Sequence, residues 1–447
     1  MQAIKHSLIA LAVAAASSQL ALAEADKVEI NQAEAKGFIE GTRAQLLLRN
    51  AYWNRDWKSK SATTDNAAWA QGFIGKFESG FTQGTVGFGL DAFALLGVRL
   101  DGGAGKAGAR SQGGLMSGFL ASESRPNSKG LFAPRDEWGH VGAAVKARIS
   151  GTVLKYGHQM PDLPVLSIDD SRILPESFTG TLLTSQEIEG LQVDIGRFTQ
   201  NSPMAFASRD PHNQLKSINI AGARYSIKDA NTNKDATSVA LYGSRLEDKF
   251  RKIYAGAYHS IDLGGQQSVE FDFNYYRTKY RSQYFQTGQS ERNTIWSLEG
   301  TYNIGGHGLI LAYQQSSGSW SYDYDQGDGG GTILVANSFF SDFNQEDEKS
   351  LQLGYSLDFS DYGMAGLNWR MAYVYGEQNS SSTAIPNGKK GHERDLYNQV
   401  TYTVQDGSLK NLKFKVRNGI YRSSNNMGNS DLNEWRLFVE YPLDLAL

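Results

Sequence analysis

Lys413, Lys415 and Arg417 alternate with Phe414 and Val416 in the run from Leu412 to Asn418. Cations at a spacing of two share one face of an extended strand, because successive side chains there point to opposite sides. Ammonium and guanidinium groups in series attract an anion, and successive arginine forks can hand a carboxylate from one to the next. Leu412, Phe414 and Val416 make the other face. In a soluble sheet that apolar row would fill a core; in a membrane barrel it would meet lipid while the cations line a water-filled lumen. Lys146 and Arg148 repeat the pattern opposite Val145 and Ile149, and Arg436 opposes Leu437. Lys413 and Arg370 fit the same inward parity. A charge facing lipid near mid-membrane costs about 2–4 kcal/mol, so in a barrel these side chains must face water.

Other chemistries find less support. His259-Ser260 would put base and nucleophile on opposite faces of a strand, and the remaining histidines are scattered through turns and loops. The stretch Gly327–Gly331 lacks the Lys-Ser/Thr and the following helix of a phosphate-binding loop. With 0 cysteines there are neither disulfides nor thiolate metal sites, and a formal charge of −3 argues against nucleic acid as a partner. No enzyme chemistry and no cofactor are expected.

The elements that must position the cations are strands. Val269, Phe271, Phe273 and Tyr275 alternate with Glu270, Asp272, Asn274 and Tyr276; Leu191, Val193 and Ile195 alternate with Gln192, Asp194 and Gly196. The same rhythm runs through Leu351–Phe359 and Glu434–Tyr441. Connectors such as Leu263-Gly264-Gly265-Gln266 and Ile304-Gly305-Gly306-His307 suit tight turns at one rim. Polar stretches at 101–135, 160–178, 201–215, 322–347 and 379–394 suit loops at the other, the habit of an outer-membrane barrel. Tyr52-Trp53, Tyr275-Tyr276, Tyr373 and Tyr375 are expected in its interfacial aromatic girdles. A secreted all-β sandwich also alternates, but it would not need so many strands without a domain break.

Composition points the same way. Gly is abundant at 48 of 447 residues, against a usual share of about 7%, Tyr and Phe number 22 and 21, and Pro only 9. No run of about 18 apolar residues offers a membrane helix. Lys5 and His6 before the apolar run Leu8–Ala16, then Ala21-Leu22-Ala23, make a signal peptide over 1–23, leaving 24–447 as one barrel domain. At roughly 20–25 residues per strand and connector, about 16–20 strands fit.

Several segments resemble the outer-membrane carboxylate channels, the OprD-type porins. They are Ala35–Glu40, Leu46–Tyr52, Gly80–Ala92, Ala144–Ser150, Arg172–Pro175, Phe271–Asn274, Leu311–Gln314, Ala336–Ser338 with Ser341–Phe343, and Asn433–Leu437. The resemblance implies an antiparallel β-barrel of about 18 strands whose loops fold inward and constrict the pore. It implies selective, passive uptake of small carboxylate-bearing nutrients across the outer membrane of a Gram-negative bacterium. Its basic ladder would use Arg49, Lys146, Arg148, Lys415, Arg417 and Arg436, with Lys413 and Arg370 beside them. Asp342 would stand on the facing acidic wall. Where some members carry an acidic residue before Ala-Asn-Ser, this chain has Gly331 and Thr332, so Asp328 is the substitute to consider.

Met160–Leu166 resembles the family's inward loop; Pro161 and Pro164 stiffen it, and Leu163, Val165 and Leu166 require packing. Expected partners are carboxylate solutes, outer-membrane lipid and lipopolysaccharide, and the barrel-assembly machinery. That machinery commonly reads a terminal aromatic residue; here the chain ends in Leu447, with Tyr441 upstream. A monomer or loose trimer is expected. A general diffusion porin without substrate preference is the nearest alternative.

Overall fold

The computed structural model describes residues 31–58, 66–101, 136–204, 215–228, 235–285, 291–378, 391–424 and 431–445. The signal peptide, most of the 101–135 and 379–394 stretches and Leu447 lie outside them. The first strands are β1 (Arg43–Trp57), β2 (Asn66–Glu78), β3 (Val86–Asp101), β4 (Glu137–Ile149) and β5 (Thr152–Gln159). A small hairpin, β6 (Asp162–Leu163) and β7 (Leu166–Ser167), interrupts the series. It resumes with β8 (Ser177–Ile188), β9 (Leu191–Ser202), β10 (Ile218–Lys228), β11 (Asp235–Leu246), β12 (Phe250–Gly264) and β13 (Gln267–Tyr280). Then come β14 (Arg292–Ile304), β15 (His307–Gly318), β16 (Glu348–Asp358), β17 (Leu367–Gln378), β18 (Gly391–Thr403), β19 (Lys413–Ser423) and β20 (Leu432–Leu445).

Leaving out the hairpin, 18 strands form one antiparallel sheet in which each pairs with its sequence neighbours. β1 pairs with both β2 and β20, so the sheet closes on itself and leaves no edge. Closure satisfies the backbone groups that lipid cannot. The count falls within the range expected from chain length.

Burial is inverted relative to a soluble protein. Phe414, Val416, Trp435, Leu437, Leu351 and Leu353 are exposed, while Lys415, Arg417, Glu434, Arg436 and Glu440 are buried. Alternation has therefore assigned the apolar rows to lipid and the charged rows to the lumen. Adjacent aromatics cannot both face lipid, however. Tyr52 is outward but Trp53 is only 3% exposed inside the lumen, and Tyr276 is fully buried while Tyr275 faces out. Half of those paired aromatics belong to the interior rather than to a girdle. Connector lengths also depart from strict alternation. At the long-loop rim β11 and β12 are joined by only 247–249, whereas 404–412 makes a longer connection at the opposite rim.

Two long-rim loops fold into the barrel. Loop A covers 160–176, and its Leu163, Val165 and Leu166 pack with Phe178, Tyr276 and Tyr322 against the β8–β14 wall. Tyr276 Oη donates to Pro164 O at 3.0 Å. The far end of loop A crosses to the other side, where Ile173 and Leu174 pack on Leu47, Ala70 and Ile74. Loop B, 319–347, lies along β14–β18: Ser297 Oγ accepts from Ala336 N, and Ser341 Oγ donates to Glu393 at 2.6 Å. The glycine run sits where the loops cross. A Cβ on Gly329, whose φ is +84°, would come 1.9 Å from Ser167 O.

Loop B is further anchored by Lys252 of β12, whose Nζ lies 2.7 Å from Asp328, both side chains being 0% exposed. Removing one partner of such a pair leaves an uncompensated charge at a cost of about 3–5 kcal/mol. The Asp328→Ala barrel is expected to assemble but to release loop B, with larger and noisier single-channel current and faster protease cleavage within 319–347. Wild-type current and protease resistance would show that the loop is held by other contacts.

Candidate functional site

The inward loops meet the wall made by β17–β20 and β1 through contacts of Arg172 with Trp53, Phe339 with Arg417 and Ser341 with Glu393. Register places four lumen-facing residues in one row. Arg370 on β17 is opposite Gln399 on β18, which is opposite Arg417 on β19, which is opposite Arg436 on β20. Arg436 in turn faces Trp53 on β1. A row runs across strands, and barrel strands tilt by about 35–45°, so the row forms a ramp along the wall rather than a horizontal ring. Lys415 and Lys413 continue the cationic face along β19, and Lys413 faces Glu440.

Such crowding of like charge needs compensation. Glu434 accepts hydrogen bonds from Arg436 Nε at 2.6 Å, Trp53 Nε1 at 2.6 Å and Arg55 Nε at 2.5 Å. Lys415 Nζ stands 3.7 Å from Glu440, and Arg417 Nε donates to Gln399 Oε1 at 2.6 Å. Aromatic faces supply the rest. Arg436, Arg172 and Arg55 all lie over the Trp53 ring, at 3.8, 4.4 and 4.5 Å from its centroid, and Arg417 lies 4.4 Å from that of Phe339. Cation–π contacts of this kind contribute about 0.5–2 kcal/mol each.

The expected cations do not share one environment. Arg49 is 1% exposed, with Nη1 donating to Asp170 Oδ1 at 2.7 Å and to Arg172 O at 2.9 Å. Its Nη2 donates to Asp170 at 3.1 Å and its Nε to Glu440 at 2.8 Å. Arg49 thus ties loop A to β1. Lys146 and Arg148 sit apart, near the short-turn rim. Lys146 pairs with Asp91 at 2.6 Å; Arg148 Nε donates to Gln32 Oε1 at 2.9 Å, and both lie over Phe81. Arg370 differs from all of these. Its Nε and Nη2 are buried with no hydrogen-bond partner among the described residues.

Loop B brings Phe339 over Arg417 and Phe340 toward Arg55, and carries Asp342. The Phe340 ring lies tilted against Tyr421, 4.6 Å between centroids, and 5.4 Å from the Arg55 guanidinium. Asp342 accepts from Tyr324 Oη and from Asn337 Nδ2. Asp328 is withdrawn into its pair with Lys252 and faces no solute. The exposed carboxylate in its stead is Asp325, three residues earlier. Arg55, Arg172, Trp53 and Asp325 were not picked out as site residues by sequence reasoning. Arg55 shares the parity of Arg49 six residues on, a usable signal; Arg172 and Asp325 lie on loops, where parity carries no information.

A closed 18-strand barrel with apolar outside, charged lumen and inward loops defines an outer-membrane porin. A match to the family described as outer membrane porin, OprD family, spans residues 36–445. Porin D of Pseudomonas aeruginosa is 39% identical over the whole of both chains. Among solved structures, OccAB1 of Acinetobacter baumannii is similar with a TM-score of 0.82 and 34% identity, covering 93% of this chain and 99% of that one. OpdK of Pseudomonas aeruginosa, solved with vanillate, gives 0.78 and 31%, covering 92% and 100%. The chain belongs to the OprD family of porins, whose place is the Gram-negative outer membrane. Its relatives are channels.

On loop B, burial pushes the Asp342 carboxyl up to about 6, partly offset by the hydrogen bond from Tyr324. The carboxyl is therefore charged above that pH and neutral below it. Acidification through this range is expected to shift the reversal potential in a salt gradient toward anion selectivity. Asp342→Asn should reduce the shift, leaving the part contributed by Asp325, which desolvation pushes up to about 7; an identical pH profile in both proteins would rule out the Asp342 carboxyl as a cause.

Proposed function

We propose that this chain is a substrate-selective channel for passive uptake of small carboxylate-bearing solutes, the class that covers organic acids, amino acids and small peptides. The observation that carries the reading is the ramp Arg370–Gln399–Arg417–Arg436, with two donor atoms of Arg370 left without partners. Cations in series present successive guanidinium and ammonium donors to a passing carboxylate. Solute enters past Arg55 and Arg172, and its carboxylate moves along the ramp to Lys415 and Lys413. Lys146 and Arg148 receive it nearer the short-turn rim. Arg49 serves the same track by holding loop A in place. Asp342 and Asp325 face a solute's opposite, cationic or polar end.

Low-dielectric walls focus the positive potential and raise the local anion concentration. Compensation by Glu434 and Glu440 keeps any single site from binding too tightly, since conduction also requires release. Vanillate in the OpdK structure is itself a carboxylate, which supports the solute class here.

Lys415→Ala combined with Arg417→Ala is expected to lower anion selectivity and slow carboxylate entry in liposome-swelling assays, without loss of the folded barrel. Arg370→Gln should weaken saturable block of the current by the best carboxylate, by about tenfold or more if one charge-assisted contact is lost. Wild-type reversal potential, uptake and block in correctly assembled variants would overturn the ramp. A wild-type current that merely scales with bulk conductivity, with no carboxylate block, would identify a general diffusion pore.

A further inference from the structure

A second set of cations points away from the lumen. Arg245, Arg251, Lys279 and Arg292 are exposed, while Leu246, Phe250, Lys252, Thr278, Tyr280 and Asn293 beside them are buried, so the four project from the outer wall. Register makes them neighbours: Arg245 is opposite Arg251, Arg251 opposite Lys279, and Lys279 opposite Arg292. They form a row across β11–β14 at the long-loop rim, on strands about 4.8 Å apart. Arg277 lies one outward position lower on β13, opposite Ile253 and Thr294.

Like charges directly opposite one another destabilise an antiparallel pair. None of these five cations has a carboxylate partner among the described residues, and no carboxylate shares their outer face in the upper halves of the four strands. Elsewhere at the same rim cations are neutralised: Lys58 pairs with Asp56, and Arg422 lies 4.0 Å from Asp431. Beneath the row the outer face turns apolar and aromatic through Leu241, Ile253, Tyr275 and Trp296. An occupant that fits must therefore carry several negative charges at the membrane boundary directly above acyl chains.

We propose that this row docks the phosphorylated glucosamine headgroup of lipid A, the membrane anchor of lipopolysaccharide, from the outer leaflet. Arginine forks match phosphate oxygens, and phosphates shared between neighbouring strands remove the repulsion within the row. The apolar face below receives the acyl chains. A soluble anion would satisfy the charges but would have no use for that face.

The full-length folded barrel is reconstituted in phosphatidylethanolamine bilayers containing bisphosphorylated lipid A, or the same lipid enzymatically dephosphorylated. Lipid retained after detergent extraction is counted by native mass spectrometry. The wild-type protein should retain the phosphorylated form selectively. The Arg251→Gln, Lys279→Gln, Arg292→Gln triple variant should retain it less, by roughly a hundredfold at about fivefold per cation, with wild-type single-channel conductance. Equal retention of both lipids by the wild-type protein overturns the proposal without recourse to any variant. So does wild-type retention by an assembled triple variant, and so does displacement of lipid A by inorganic phosphate at comparable concentration.

Discussion

A guanidinium or carboxylate held against lipid at mid-membrane costs about 2–4 kcal/mol, and eighteen closed strands meet that constraint by turning the charged rows of β17–β20 and β1 inward. Strict alternation then places Phe414 and Val416 outside whenever Lys415 and Arg417 are inside. The lumen is consequently a crowded polyelectrolyte, not a passive hole. Its cations are held in place by two glutamates and an aromatic platform.

Trp53 illustrates how that crowding is managed. Its indole N–H donates to Glu434, which also accepts from Arg55 and Arg436, while three guanidinium groups stack over its ring. One side chain thus organises cations contributed by β1, β20 and loop A. The mutual orientation is fixed by register, so the spacing of the forks is as rigid as the sheet. Rigid spacing matters, because hand-over between sites requires each to be within reach and none to dominate.

The loops add what the wall cannot. Loop A is pinned at one end by Leu163, Val165 and Leu166 in the β8–β14 cluster and at the other by Asp170 on Arg49. Loop B is pinned by Lys252 and carries Phe339 to Arg417. Together they pack on the β8–β14 wall and reach across to Arg49, Trp53 and Arg417 on the cationic wall.

Side-chain parity is a local property, and local properties are what a sequence records. The shared face of Lys413, Lys415 and Arg417, and the parity of Arg370 and Arg436, therefore followed from spacing, whereas the barrel also needed the connector pattern and composition, and the inward loop of Leu163, Val165 and Leu166 the family resemblance. Register between strands and the path of a loop are not local. Only the folded chain decided that Arg370, Arg417 and Arg436 share a row, that Arg49 is occupied by Asp170 and Glu440, and that Asp328 is buried on Lys252. Which of two neighbouring aromatics met lipid, Tyr52 or Trp53, was by contrast legible, since Trp53 shares the parity of Arg49 and Arg55 on β1. Pairing across hundreds of residues sets the shared row and the buried ion pairs, and no stretch of the chain carries them by itself.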